Sequence, residues 1–235
     1  MKTTCCHIFC SSIGKKYLMA LSGMVLLGFV LVHMLGNLQV FLGQEAINAY
    51  ADKLQSSPPV LWGFRFFLLA ATLIHVLTAI SLVRENRAAR PDANGDEKFV
   101  QATIGSRTMG LTGSLIFAFI VFHVLHYTVR VTHPEYQQIA HYTLGKSHKE
   151  VHDVYTMVIM GFQEKWISAI YIVCMALLCL HLTHGVSSLF QTLGIRNTTW
   201  KTNLDRLAIV YGWVIFIGFV SVPIAVLMGA VPPTG

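Results

Sequence analysis

The sequence predicts an all-α integral membrane bundle of five transmembrane helices, with the N-terminus cytoplasmic and the C-terminus outside. Three observations carry this. Hydrophobic residues make up 54% of the 235 and charged residues 12%, about half the charged share of a soluble domain. A soluble domain of this size must cover most of its exterior with polar atoms, and this chain lacks them. Five stretches, 17–42, 61–83, 109–129, 166–190 and 207–231, each hold the roughly 20 apolar residues that cross a hydrocarbon core. Lys and Arg then divide eleven against six between the two sides, which sets the orientation by the positive-inside rule. The net charge of +6 is therefore read as topology, with no nucleic-acid partner. Disorder is excluded, because a chain this apolar has ample surface to bury.

In chain order, residues 1–12 contain no apolar core and are not read as a cleavable signal. Cys5, Cys6 and Cys10 lie there at spacings that match no closed four-ligand metal site. Cys174 and Cys179 fall inside the fourth span, so the cysteines do not form a disulfide frame. Tyr17, Trp62 and Trp166 sit at span ends, as an interfacial aromatic belt requires. Arg65 is the charge inside a span, close enough to its end to snorkel to the interface. Pro223 kinks the fifth span without forbidding it. The segment 130–165 is expected to hold a short helix but no core of its own. The whole of 1–235 reads as one transmembrane domain.

Histidine is the chemical signal. Four spans carry it: His33 in the first, His75 in the second, His123 and His126 in the third, His181 and His184 in the fourth. An ionisable side chain inside a membrane marks a functional site by default. Depth sorts these residues. From the cytoplasmic ends, His33 and His123 lie about 24 Å and 21 Å up, while His75 and His181 lie about 12 Å and 14 Å up. Two imidazoles facing each other across helices are what a six-coordinate haem needs. The pairs His33/His123 (outer) and His75/His181 (inner) therefore read as axial ligands of two haem irons, offset by about 10 Å. His126 and His184, each one turn away, are the alternates, and the depth match separates them from the preferred residues by about one turn. Small residues one turn from the ligands, Gly36, Ala71, Ala79 and Gly185, are expected to leave room for a flat macrocycle. Close helix packing would select the same residues.

These residues resemble a known family. Val32-His33-Met34-Leu35-Gly36-Asn37, Leu73-Ile74-His75, Phe122-His123-Val124, and Leu180-His181-Leu182 with Gly185 are similar to motifs of the single-chain di-haem cytochrome b subunit of bacterial succinate dehydrogenases and fumarate reductases. The resemblance covers all five spans and gives one ligand histidine in each of four helices. It implies two haem b groups and the same ligand pairs, held by a multi-pass chain in the bacterial cytoplasmic membrane. It also implies a flavoprotein subunit and an iron–sulfur subunit as partners, a membrane quinone (menaquinone is the type expected) as electron partner, and assembly of the complex into a higher oligomer. Dicarboxylate chemistry is assigned to the flavoprotein, so this chain is no enzyme on its own.

A quinone needs two protons for reduction, so a titratable group beside the outer haem is expected. The resemblance implies an acidic residue between the first two spans, where Glu45 and Asp52 are the candidates, with Asn37 and Gln39 as alternatives that donate hydrogen bonds. Asn37 has a second reading, a bond to a ring nitrogen or a haem propionate. His148-Lys149-Glu150-Val151-His152 places two histidines at i and i+4 of an expected helix, without the order of a zinc-protease motif. Arg84, Arg87 and Arg107 suit propionates or partner docking, or positive-inside topology alone. Two other functions compete: the cytochrome b of a different membrane dehydrogenase, and a haem-free proton-coupled transporter using histidine relays. The transporter predicts internal repeats, and the sequence is read as having none.

Overall fold

The computed structural model describes residues 11–88, 104–145 and 147–231. The tail cysteines Cys5, Cys6 and Cys10 lie outside the described residues. Of the described residues 83% are helical, and five helices among them are long and apolar enough to cross a membrane. In chain order the elements are α1 (Ser12–Asn37), a 3-10 turn (Leu38–Leu42), α2 (Gln44–Gln55), α3 (Pro58–Ala88) and α4 (Ile104–His123). A π-helical turn (Val124–Val129), a second 3-10 turn (Pro134–Gln138), β1 (His141–Thr143) and β2 (Glu150–His152) follow. The chain closes with α5 (Val154–Gln163), α6 (Lys165–Thr192) and α7 (Lys201–Leu227).

Local chemistry sets the boundaries. Pro58 and Pro59 open α3, where a missing N–H costs nothing. Gly43, at φ 96°, reverses the chain between the first 3-10 turn and α2, a conformation that favours glycine. Asp153 caps α5 by accepting from the Thr156 backbone N–H at 3.1 Å. Pro223 sits inside α7 among the most deeply buried side chains, and the helix continues past it. The long helices outrun the apolar spans: the 31 residues of α3 reach about 46 Å at 1.5 Å per residue, against a hydrocarbon core of about 30 Å. Their ends are accordingly charged. Lys15 pairs with Glu85, and Arg196 forks onto Asp205 through Nε and Nη2, both at 2.9 Å.

Long apolar side chains cover the helix exteriors. Phe66, Leu77, Leu111 and Ile217 are each more than 60% exposed, far beyond what a soluble surface tolerates in contiguous patches. Lipid is the solvent that accepts them. The protein is a multi-pass membrane protein.

The chain divides into two compact units. The first comprises residues 1–29, 64–113 and 180–212. Within it the Tyr211 hydroxyl donates to the Leu27 carbonyl at 2.6 Å, and the Ser187 hydroxyl donates to Asp205 at 2.6 Å. The second comprises residues 30–63, 114–179 and 213–235. Its core joins Val40 and Ile47 to Tyr155, Val158, Ile159 and Phe162 of α5, Ile167 and Tyr171 of α6, and Val222 and Val226 of α7.

The segment 130–165 carries the expected short helix, α5, which has no core of its own and is buried in one that it shares with membrane-spanning helices. One expectation is corrected: 148–152 is not a helix with histidines at i and i+4, because Glu150–His152 is strand β2, paired antiparallel with β1. His148, at φ 51°, lies in the reversal between the strands, a conformation that no helix accommodates.

Candidate functional site

The structure brings the sequence-paired histidines together. In the second unit, His33 of α1 and His123 of α4 have ring centroids 5.7 Å apart. In the first unit, His75 of α3 and His181 of α6 are 6.4 Å apart. The ring planes cross at 77° and 67°. Two metal–imidazole bonds of about 2 Å, plus about 1 Å from each ring nitrogen to its ring centre, place two axial rings about 6 Å apart. Both pairs meet that span. The donor sets, two imidazoles on different helices in each unit, fit the axial ligation of a six-coordinate haem.

His126 has a different environment. It lies in the π-helical turn and its side chain is fully buried. Tyr171 Oη stands 3.0 Å from its Nδ1 and Tyr136 Oη stands 3.0 Å from its Nε2. Both ring nitrogens are thus hydrogen-bonded, which leaves no lone pair for a metal. Tyr171 Oη also lies 3.1 Å from His123 Nδ1. A hydroxyl has one proton, so at least one of these two imidazoles donates to the phenol. If His123 binds metal through Nε2, its Nδ1 carries the hydrogen. The bonds then run in one direction, from His123 to Tyr171 to His126 to Tyr136. His184 is half-buried in α6 of the first unit.

Around the pairs the helices come close. A Cβ on Gly23 would stand 3.3 Å from His75 Cε1, and one on Gly113 would stand 3.4 Å from His181 Cε1. Gly36 does not leave space for a macrocycle as expected, because a Cβ there would meet the Tyr50 ring at 2.8 Å. The Tyr50 ring fills the notch. Gly185 does face open space, and Ala71 is buried. Asn37 is bound to its own helix: its Nδ2 donates to the His33 carbonyl at 2.7 Å and lies 3.4 Å from His33 Nε2.

The two acidic candidates occupy different settings in the second unit. Glu45 Oε2 accepts from the Tyr142 hydroxyl and from the Gly145 backbone N–H, both at 3.1 Å, so it holds the hairpin to α2. Asp52 accepts from Lys149 at 2.5 Å and lines a pocket of about 230 Å³ with His141, Glu150 and His152. Burial, reinforced by the nearby Arg130 charge, pushes the His152 imidazole below its usual range. Its Nε2 is buried without a hydrogen-bond partner. Gln39 lies in the first 3-10 turn. Glu85 is engaged by Lys15, Ser12 and Ser81.

Sequence reasoning missed the hydroxyls that face the histidine rings: Ser22, Thr112 and Tyr171. Among the described residues no group of three or more His, Cys, Asp or Glu is placed to hold a metal ion. No family model, curated protein or solved structure matches this chain.

Proposed function

We propose that this chain is the di-haem cytochrome b subunit of a succinate:quinone oxidoreductase, anchoring a flavoprotein and an iron–sulfur subunit to the bacterial cytoplasmic membrane. The observation that carries the proposal is the convergence of four intramembrane histidines, from four helices, into two pairs of axial-ligand spacing. Haem supplies one-electron storage at each pair, with potentials tuned by ligand, hydrogen bonding and burial. His33 and His123 hold one iron, and His75 and His181 hold the other.

The chain's own residues set what surrounds that chemistry. The four histidines lie inside apolar spans, and the neutral imidazole is the form that serves as a metal ligand. The side bearing Lys15, Lys16, Arg84, Arg87, Arg196 and Arg206 faces the cytoplasm by the positive-inside rule, which is where the iron–sulfur subunit docks. For the two protons that a quinone takes up on reduction, Asp52 is better placed than Glu45. Asp52 shares a pocket with two histidines, whereas both hydrogen bonds to Glu45 hold the hairpin.

Purification of the chain from its native membranes under mild detergent tests the partner assignment. The expected result is co-isolation of a flavin-containing and an iron–sulfur-containing subunit at equal ratio, with haem reduced on addition of succinate. Isolation with a different dehydrogenase, with haem indifferent to succinate, would overturn the assignment.

A further inference from the structure

Two helices hold the His75–His181 pair in the same way. Ser22 Oγ of α1 lies 3.4 Å from His75 Nδ1, and Thr112 Oγ1 of α4 lies 3.3 Å from His181 Nδ1. Each hydroxyl has a single proton, and a closer acceptor takes it. For Ser22 that acceptor is the Leu18 carbonyl at 2.7 Å; for Thr112 it is the Thr108 carbonyl at 3.0 Å. Only lone pairs then point at the rings. The ring nitrogen that faces such an oxygen must itself carry the hydrogen.

The residue after each hydroxyl is glycine: a Cβ on Gly23 would press on His75 Cε1 at 3.3 Å, and one on Gly113 would reach van der Waals contact with His181 Cε1 at 3.4 Å. The sequence repeats with the contact. Met19-Ala20-Leu21-Ser22-Gly23 in α1 matches Met109-Gly110-Leu111-Thr112-Gly113 in α4. In both helices a histidine follows the hydroxyl by eleven residues: His33 and His123. Each of these helices therefore supports one histidine of the first unit and donates one of its own to the second.

We propose that Ser22 and Thr112 are a matched pair of positioning residues that lock His75 and His181 as Nδ1–H tautomers and leave both Nε2 lone pairs for one iron. The iron rests on the haem reading above; the tautomers do not. In water a neutral imidazole prefers its hydrogen on Nε2, so without these acceptors the ligand nitrogen would be blocked in the apo chain. A hydrogen bond from Nδ1 also raises the basicity of Nε2 toward a metal.

The test is ring ¹⁵N–¹H correlation NMR of the full chain in lipid, labelled with ¹⁵N-histidine. The spectra are recorded on the chain expressed without haem, because iron on Nε2 would itself hold the hydrogen on Nδ1 whatever the hydroxyls do. His75→Gln and His181→Gln assign the signals. The expected result is Nδ1–H at both rings. Ser22→Ala then disturbs the tautomer of His75 alone and Thr112→Ala that of His181 alone, while Ser22→Thr keeps the parent spectrum. In haem-transfer assays to an excess of apomyoglobin, each alanine variant should lose the haem of this pair about 10-fold faster, with the His33–His123 haem unaffected. Nε2–H rings in the haem-free parent chain, or tautomers unmoved in both haem-free alanine variants, would overturn the proposal even where the chain takes up both haems when they are supplied. The expected tautomers in a chain that takes up no haem would instead overturn the haem reading and leave the hydroxyl-set tautomers standing.

Discussion

Tyr171 and His126 show how a single residue's surroundings decide its role. His126 sits three positions after His123, close enough in sequence to serve as its substitute, yet phenols occupy both of its ring nitrogens. Replacing it with glutamine should leave both haems in place, whereas His123→Gln should remove one; haem counted per chain distinguishes the two outcomes. Tyr171→Phe leaves two buried imidazole nitrogens short of a partner, and each orphaned polar group costs about 1–3 kcal/mol. A fall in thermal unfolding temperature with haem stoichiometry retained is the expected result.

Asp153 gives a pH prediction. Burial alone would raise its pKa, but hydrogen bonds from Thr156, Asn48 and Gln44 outweigh it and hold the carboxyl below its ordinary range. A carboxylate with a lowered folded-state pKa contributes stability that is fully present above its unfolded value of about 3.9. That contribution is lost as pH falls through the lowered folded value. Unfolding of the parent chain followed by circular dichroism should therefore steepen below about pH 4, and Asp153→Asn should remove part of that steepening while lowering stability at pH 7.

At the scale of elements, one amide ties α2 to α5. Asn48 is completely buried. Its Nδ2 donates to Asp153 at 2.9 Å, and its Oδ1 accepts from the Val154 and Tyr155 N–H groups at 2.9 and 3.1 Å. Asn48→Ala strands the first-turn donors of α5 and should cost about 2–4 kcal/mol, read as faster amide hydrogen exchange in α5 than in α1. None of this was legible in the sequence, because its partners lie more than a hundred residues apart. The hairpin escaped for a local reason. A two-histidine spacing suggested a helix, while the left-handed turn at His148 that breaks it carries no glycine at that position to announce it. Gly36 misled in the opposite sense: its small size does serve packing, but against the Tyr50 ring rather than a cofactor. The repeat in α1 and α4 was present in the sequence all along. It is only five residues long with two conservative exchanges, so a search for span-length repeats passes over it.

For the whole molecule, the five spans and the four paired histidines were legible, because hydropathy and helical rise are properties of the chain alone. Burial in lipid forces every backbone polar group into helix, which makes depth countable residue by residue. That counting put His33 level with His123 and His75 level with His181, and the ring pairs follow the same grouping. What depth cannot give is rotation about each helix axis, and rotation decides which hydroxyl faces which ring. Ser22, Thr112 and Tyr171 were therefore out of reach. The central claim concerns what the two pairs hold. Its most direct test is a dithionite-reduced minus oxidised spectrum of the purified chain, expressed with adequate haem supply, with haem quantified per chain. Two b-type haems, one lost on substitution of His33 or His123 and the other on substitution of His75 or His181, is the predicted result. A chain that folds into the membrane and binds no haem would contradict it.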